Sequence, residues 1–201
     1  MIEINIRTNF PEVARALDQL GQDVGDKALV RALNKTVDQG KTAMAREISR
    51  TYWISSSAAK DRLDVRKAKR KGGALRFEAV LEATRRGQGR SMNLIHFVEQ
   101  SVSLAQAKKR GKAGTLQQVH FKIKRGGPAK FVRGAFIANR GRTVFIREGK
   151  KRLPIKAVNT LDVPQMFNTK AVAFAVRDVM LTRFQSNFAR ELRAVLKGYA
   201  R

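Results

Sequence analysis

An α+β fold is predicted for this chain of 201 residues: an antiparallel sheet with helices packed on one face, and long N-terminal and C-terminal helices. Two observations predict it. Apolar residues recur at steps of three or four in two long stretches, Asp26–Tyr52 and the residues after Asn168, which is the spacing of a helix face. Between them, short runs alternate apolar and polar residues, the period of a half-buried strand.

Ile2, Ile4 and Ile6 alternate with polar residues and read as a first strand. Asn9-Phe10-Pro11-Glu12 reads as a helix start, because Asn caps, Pro is tolerated in the first turn and Glu12 follows the cap by three residues. Val13, Leu17 and Leu20 share its face, and Gly21 ends it. Asp26 opens a longer helix on which Leu29, Leu33, Val37, Gly40, Met44, Ile48 and Tyr52 form one stripe. Trp53-Ile54 closes it. Ser55, Ser56 and Ser57 offer caps for a short helix through about Val65. Its far end carries Arg66, Lys67, Lys69, Arg70 and Lys71, and Gly72-Gly73 breaks the chain. Leu75, Phe77, Ala79 and Leu81 alternate with Arg76, Glu78 and Glu82, giving a strand with one wet face.

Residues 84–115 are the least ordered by composition. Basic, glycine-rich stretches at Arg85–Arg90 and Lys108–Gly114 flank a small apolar segment, Leu94–Val98, so an exposed, mobile basic arm or long hairpin is expected. Val119, Phe121 and Ile123 alternate as a strand, Gly126-Gly127-Pro128 turns the chain, and Phe131-Val132 and Ala135-Phe136-Ile137 form further strand pieces. Asn139–Arg142 turns into a strand Thr143–Arg147, and Glu148–Lys151 turns again. Leu153-Pro154-Ile155 begins an edge strand, since Pro removes a ladder donor. Asn168 or Thr169 caps the last helix, with Val172, Val176, Val179, Phe184, Phe188, Leu192 and Val195 on its apolar face. The expected structural core is built on Leu33, Val37, Met44, Ile48, Trp53, Phe136, Phe145, Phe184 and Phe188. No internal repeat is visible, and one domain over residues 1–201 is expected, with 84–115 as an arm within it.

The formal net charge is +26, from 42 Lys and Arg against 16 Asp and Glu. It is unevenly spread: residues 59–160 carry 27 basic and 6 acidic side chains, hence +21, while 1–58 carry +1 and 161–201 carry +4. Like charge at this density repels itself, and it is tolerated when a polyanion or an acidic surface lies against it. Hydrophobic residues make up 43% of the chain, enough to bury a core and to exclude a wholly disordered basic tail. With no cysteine, disulfides and thiolate metal sites are excluded. The first residues alternate without a long apolar run, which does not read as a signal peptide, and no stretch reaches the roughly 18 apolar residues of a membrane span. The expectation is a soluble protein made in the cytoplasm.

Catalysis needs groups whose ionisation can be tuned, and they are scarce here: two His, no Cys and few carboxylates. His96 lies in an apolar segment and His120 points outward on a basic strand, so both read as structural or solvated. Glu78 and Glu82 read as solvating a strand face or pairing with Arg76. No phosphate-loop spacing and no metal-ligand cluster appears, so no catalytic residue, metal site or cofactor is expected, and an enzyme is not.

The candidate site is a partner- or DNA-facing basic surface. It comprises Arg66, Lys67, Lys69, Arg70, Lys71, Arg85, Arg86, Arg90, Lys108, Lys109, Arg110, Lys112, Lys122, Lys124 and Arg125, which would neutralise phosphates or meet acidic protein. Tyr52–Leu63 has the outline of a turn leading into a recognition helix, but Trp53 and Ile54 suit a stapled helix corner better. The basic runs fall on loops and strands rather than on amphipathic helices, which disfavours a membrane surface.

Several segments in order carry a resemblance. Arg31–Thr36 lies early in a long helix that leads to Ile54–Leu63 and the basic tail Val65–Lys71. There follow Gly134-Ala135-Phe136-Ile137, Val144–Arg147, Leu153-Pro154-Ile155, Val163–Met166 and an Arg-rich terminal helix. From about Ala28 onward the chain resembles the minor tail protein Z family of long-tailed bacteriophages and prophages, also called tail completion proteins. Residues 84–115 match no motif of that family. The resemblance implies a structural virion assembly protein that completes the head-proximal end of the tail for head–tail joining. It implies partners among tail terminator, tail tube and connector proteins, a homo-oligomer or ring, and residence in the virion tail after assembly in the host cytoplasm. Two uses of the charge stay open: meeting acidic protein surfaces, or lining a channel for the end of double-stranded DNA. A general nucleic-acid-binding protein of ribosomal or chromatin type is the alternative.

Overall fold

The computed structural model describes residues 22–71, 74–76, 78–83, 91–99 and 119–199; for 22, 23, 70, 71, 74–76 and 199 it describes the backbone alone. The expected first strand and the helix over Asn9–Leu20 lie outside these residues, as do 84–90 and 100–115. The fold class is α+β, with two long helices and small antiparallel sheets.

Helix α1, Gln22–Thr51, pairs with the terminal helix α4, Lys170–Tyr199. Lys35 meets Glu191, Thr36 meets Asn187, and Tyr52 meets Thr169, so the two run antiparallel. The α1 stripe is as wide as its spacing demands: Leu29, Leu33, Val37, Met44, Ile48 and Tyr52 are all buried, widened by Ala28, Ala32 and Ala45. On α4 the buried face is Val172, Val176, Met180, Phe184, Phe188 and Val195. Val179 was expected on that face but is exposed; Met180 takes its place, because it sits one turn after Val176 and one turn before Phe184. Mid-helix, Gly40 faces Met180 so closely that an added Cβ would lie 2.7 Å from its Sδ. Glycine leaves room there for the buried Met180 side chain, which offsets its weak helix propensity. A buried polar knot accompanies the apolar seam: Asn187 Nδ2 donates to Thr36 Oγ1 and Gln39 Oε1, both at 3.0 Å, and Thr36 Oγ1 donates to the Ala32 carbonyl.

The short helix α2, Ser56–Lys60, is capped by Ser55, whose hydroxyl accepts from the Ala58 N–H. It ends well before Val65. Leu63–Arg66 is instead strand β1, because Leu63 is buried and the run pairs antiparallel with β4, Val80–Ala83. The basic tail therefore leaves on a strand rather than a helix end, through β2, Lys69–Lys71, and its partner β3, Ala74–Arg76. The strand expected from Leu75 to Leu81 is divided between β3 and β4, and Ala79 between them is buried. Strand β5, Val119–Phe121, pairs with β6, Lys130–Val132. The largest sheet has order β7-β8-β9: Ala135–Ala138, Thr143–Arg147 and Ile155–Ala157. Its first turn places Asn139, Arg140 and Gly141 at φ 53, 55 and 80°, and Gly141 suits that left-handed region without cost. The helix α3, Val163–Phe167, was not expected from the sequence. Asp162 and Gln165 form a capping box, with Pro164 in the first turn.

The arm expected over 84–115 does not extend to residues 91–99. Met92, Leu94 and Phe97 are buried, and Leu94–Phe97 is a 3₁₀ turn. Asn93 fixes it: its Oδ1 accepts from the Ile95 and Val144 N–H groups, and its Nδ2 donates to the Val144 carbonyl. On the other side Lys122 N–H donates to the Phe97 carbonyl. This segment ties the three-stranded sheet to β5.

Candidate docking surface

Three groups of cations are built differently. The first is the basic tail. Asn34 of α1 holds its backbone from both sides: Nδ2 donates to the Ala68 carbonyl at 3.1 Å, and Oδ1 accepts from the Ala68 N–H at 2.7 Å. Arg66 is ion-paired with Glu82 of β4, and Lys67 with Asp38 of α1 at 3.0 Å. Lys69 is exposed. Two of these charges thus have partners within the fold, although exposed pairs of this kind contribute little stability.

The second group surrounds Trp53. Lys122 Nζ and Arg125 Cζ lie 5.5 and 5.1 Å from its ring centroid, a cation–π arrangement. Lys122 also pairs with Glu99 at 2.8 Å, and Arg125 Nε donates to the Ser49 carbonyl at 2.6 Å. Arg125 N–H donates to the Thr51 carbonyl, so this one residue satisfies two carbonyls at the end of α1. Trp53 is half-buried and outside the central core; it closes a corner under two cations instead of entering a groove. Lys124 is exposed. No position can be given to Arg85, Arg86, Arg90, Lys108, Lys109, Arg110 or Lys112, nor to the side chains of Arg70 and Lys71, which lie outside what is described.

The third group was not singled out in the sequence. One face of the β7-β8-β9 sheet carries Ala135, Ile137 and Val144 into or against the core. The other carries Phe136, Phe145, Arg147, Ile155 and Ala157, none of them in the core. The Phe136 and Phe145 rings pair at 6.1 Å, and the Arg147 guanidinium lies 4.7 Å from the Phe136 centroid. Both phenylalanines, expected in the core, are half-buried, because strand alternation turns them to the face opposite Val144. Ile155 is 38% exposed and Leu153, two residues ahead, 64%. Arg140, Arg142, Lys150, Lys151 and Arg152 occupy the adjoining turns, all exposed. The signal was present as seven basic residues in 139–156 against the single acid Glu148.

His96 packs near Arg62; burial first, and then the Arg62 charge, lower its pKa below the ordinary 6.5. Asp162, fully buried, caps α3 through its bond with the Val163 N–H and has Arg62 Nη1 at 3.4 Å as its charge partner. This pairing is structural: it fixes a helix start. Among the described residues no group of three or more His, Asp or Glu is placed to hold a metal, and no described helix is long and apolar enough to cross a membrane.

The comparisons give these surfaces a setting. The family described as prophage minor tail protein Z (GPZ) matches residues 11–200, nearly the whole chain. The chain belongs to this family, and so to the minor structural proteins of phage tails. No curated protein and no solved structure matches it significantly.

Proposed function

We propose that the protein completes the head-proximal end of the tail of a long-tailed bacteriophage and prepares it for joining to the filled head. It acts as a non-catalytic assembly component, in several copies around the tail axis, against tail terminator, tail tube or connector proteins. The observation that carries this reading is a surplus of +21 in residues 59–160 of a phage tail protein, much of it on exposed turns and strand ends. A surface of this sign suits acidic neighbours in an assembly. Symmetry of the tail tube favours a ring or other closed oligomer.

The test is in vitro joining. Tails made without the protein should fail to join filled heads, and the purified protein should restore joining. Tails that join at full yield without it would overturn the reading.

A second role, beside the genome end, is favoured by Lys69, Lys124, Lys130 and Arg133. Among the described residues these are exposed and have no acidic partner. Phosphate contacts by these residues would give duplex-DNA affinity that falls steeply with salt. Affinity that ignores salt, or none, would remove this role.

A further inference from the structure

We infer that the outer face of the β7-β8-β9 sheet is the surface through which this protein docks on the tail, and that its partner is a protein surface with an apolar centre bordered by Asp and Glu. The inference rests on the tail reading above and assigns it a place on the molecule.

The face has the anatomy of a protein interface. Its centre is apolar: the Phe136–Phe145 pair, Ile155 and Ala157, and the exposed Leu153 lies two residues before Ile155 in the segment that leads into the strand. A partly exposed apolar cluster on one sheet face is the kind of surface that marks an interaction site. Its border is cationic, with Arg147 laid over Phe136 and Arg140, Arg142, Lys150, Lys151 and Arg152 in the flanking turns. Apolar centre and charged rim is the arrangement that excludes water from the middle and uses charge for orientation and encounter rate.

Charge decides the occupant. A second copy of this chain is disfavoured, since two cationic rims on molecules of charge +26 would be pressed together. Nucleic acid would use the rim but not Leu153 and Ile155, whose aliphatic side chains offer neither charge to a phosphate nor a ring to stack on a base. An acidic protein surface uses both parts.

The test uses the full chain and tails assembled without it. One variant carries Leu153→Asp with Ile155→Asp; a second carries Lys150→Glu, Lys151→Glu and Arg152→Glu; a control carries Phe174→Asp, at a residue of α4 that is 74% exposed. Co-sedimentation with tails, thermal midpoint, duplex-DNA binding and oligomeric mass are measured for each. Both face variants should keep the native thermal midpoint and lose tail association by about tenfold or more, while the control associates normally. Native-like association of either face variant overturns the face. So does loss of DNA binding, or of an oligomer, with tail association intact, since each assigns the face to another occupant. If the unmodified protein itself does not associate with tails, the tail reading falls first and takes this inference with it.

Discussion

At the scale of single residues, the seam between the long helices turns on one missing methyl group. Gly40→Ala would gain about 1 kcal/mol of helix propensity but would drive a Cβ to 2.7 Å from the sulfur of a buried Met180. Overpacking costs about 1–3 kcal/mol, so the net effect is a loss of about 1 kcal/mol in chemical denaturation. Combined with Met180→Ala, the two changes should be less damaging than their separate losses suggest, by at least about 0.5 kcal/mol, because the new methyl fills space the methionine leaves. His96 gives a pH signature. Its folded pKa lies below the ordinary 6.5, through burial and then the Arg62 charge, so the unfolded chain binds the proton more readily. Its contribution is complete above that value and declines as pH falls from 6.5 towards the folded pKa. His96→Gln should flatten that decline in urea denaturation between those pH values; an unchanged slope would contradict it. The effect is modest, since His96 remains exposed to solvent over part of its surface.

At the scale of elements, the long helices were legible because a stripe of three-and-four spacing leaves one solution for which face is buried. The strand Thr143–Arg147 was legible too, with its glycine turn. Three features were not. The segment 91–99 reads as part of a glycine-rich basic region, and its order comes from Asn93 bonding a strand 51 residues away, which no local pattern encodes. The helix Val163–Phe167 is one short turn announced by Asp162 and Gln165, too brief for periodicity. The outer face of the last sheet reads as core, because alternation identifies two faces without saying which one is covered. Pairing also separates cations that sequence treats alike. The Arg125 side chain anchors the end of α1, whereas that of Lys124 beside it is exposed and only its backbone bridges to Tyr52. Arg125→Ala should therefore cost about 1–2 kcal/mol and Lys124→Ala almost nothing, measured by thermal and urea denaturation. Equal effects of the two would mean that the Arg125 side chain does not clamp the helix end.

At the scale of the whole molecule, the governing fact is a charge of +26 carried on a chain with an ordinary apolar core. Self-repulsion opposes the compact state, and added salt screens it. The melting midpoint of the isolated protein should rise by several degrees as sodium chloride goes from about 50 to about 500 mM. A midpoint that falls over that range would mean that the ion pairs Arg66–Glu82, Lys67–Asp38 and Lys122–Glu99 outweigh the repulsion. Net charge was legible from composition and fold class from the spacing of apolar residues, and the order of segments pointed to the family that the match over residues 11–200 establishes. Which cations are engaged inside the fold and which face outward needed the structure.

The most direct measurement is quantitative mass spectrometry of purified phage particles after heads and tails have been separated. The account predicts this polypeptide in the tail fraction, at a fixed multiple of the tail number. Particles that are infectious and contain none of it would contradict the account.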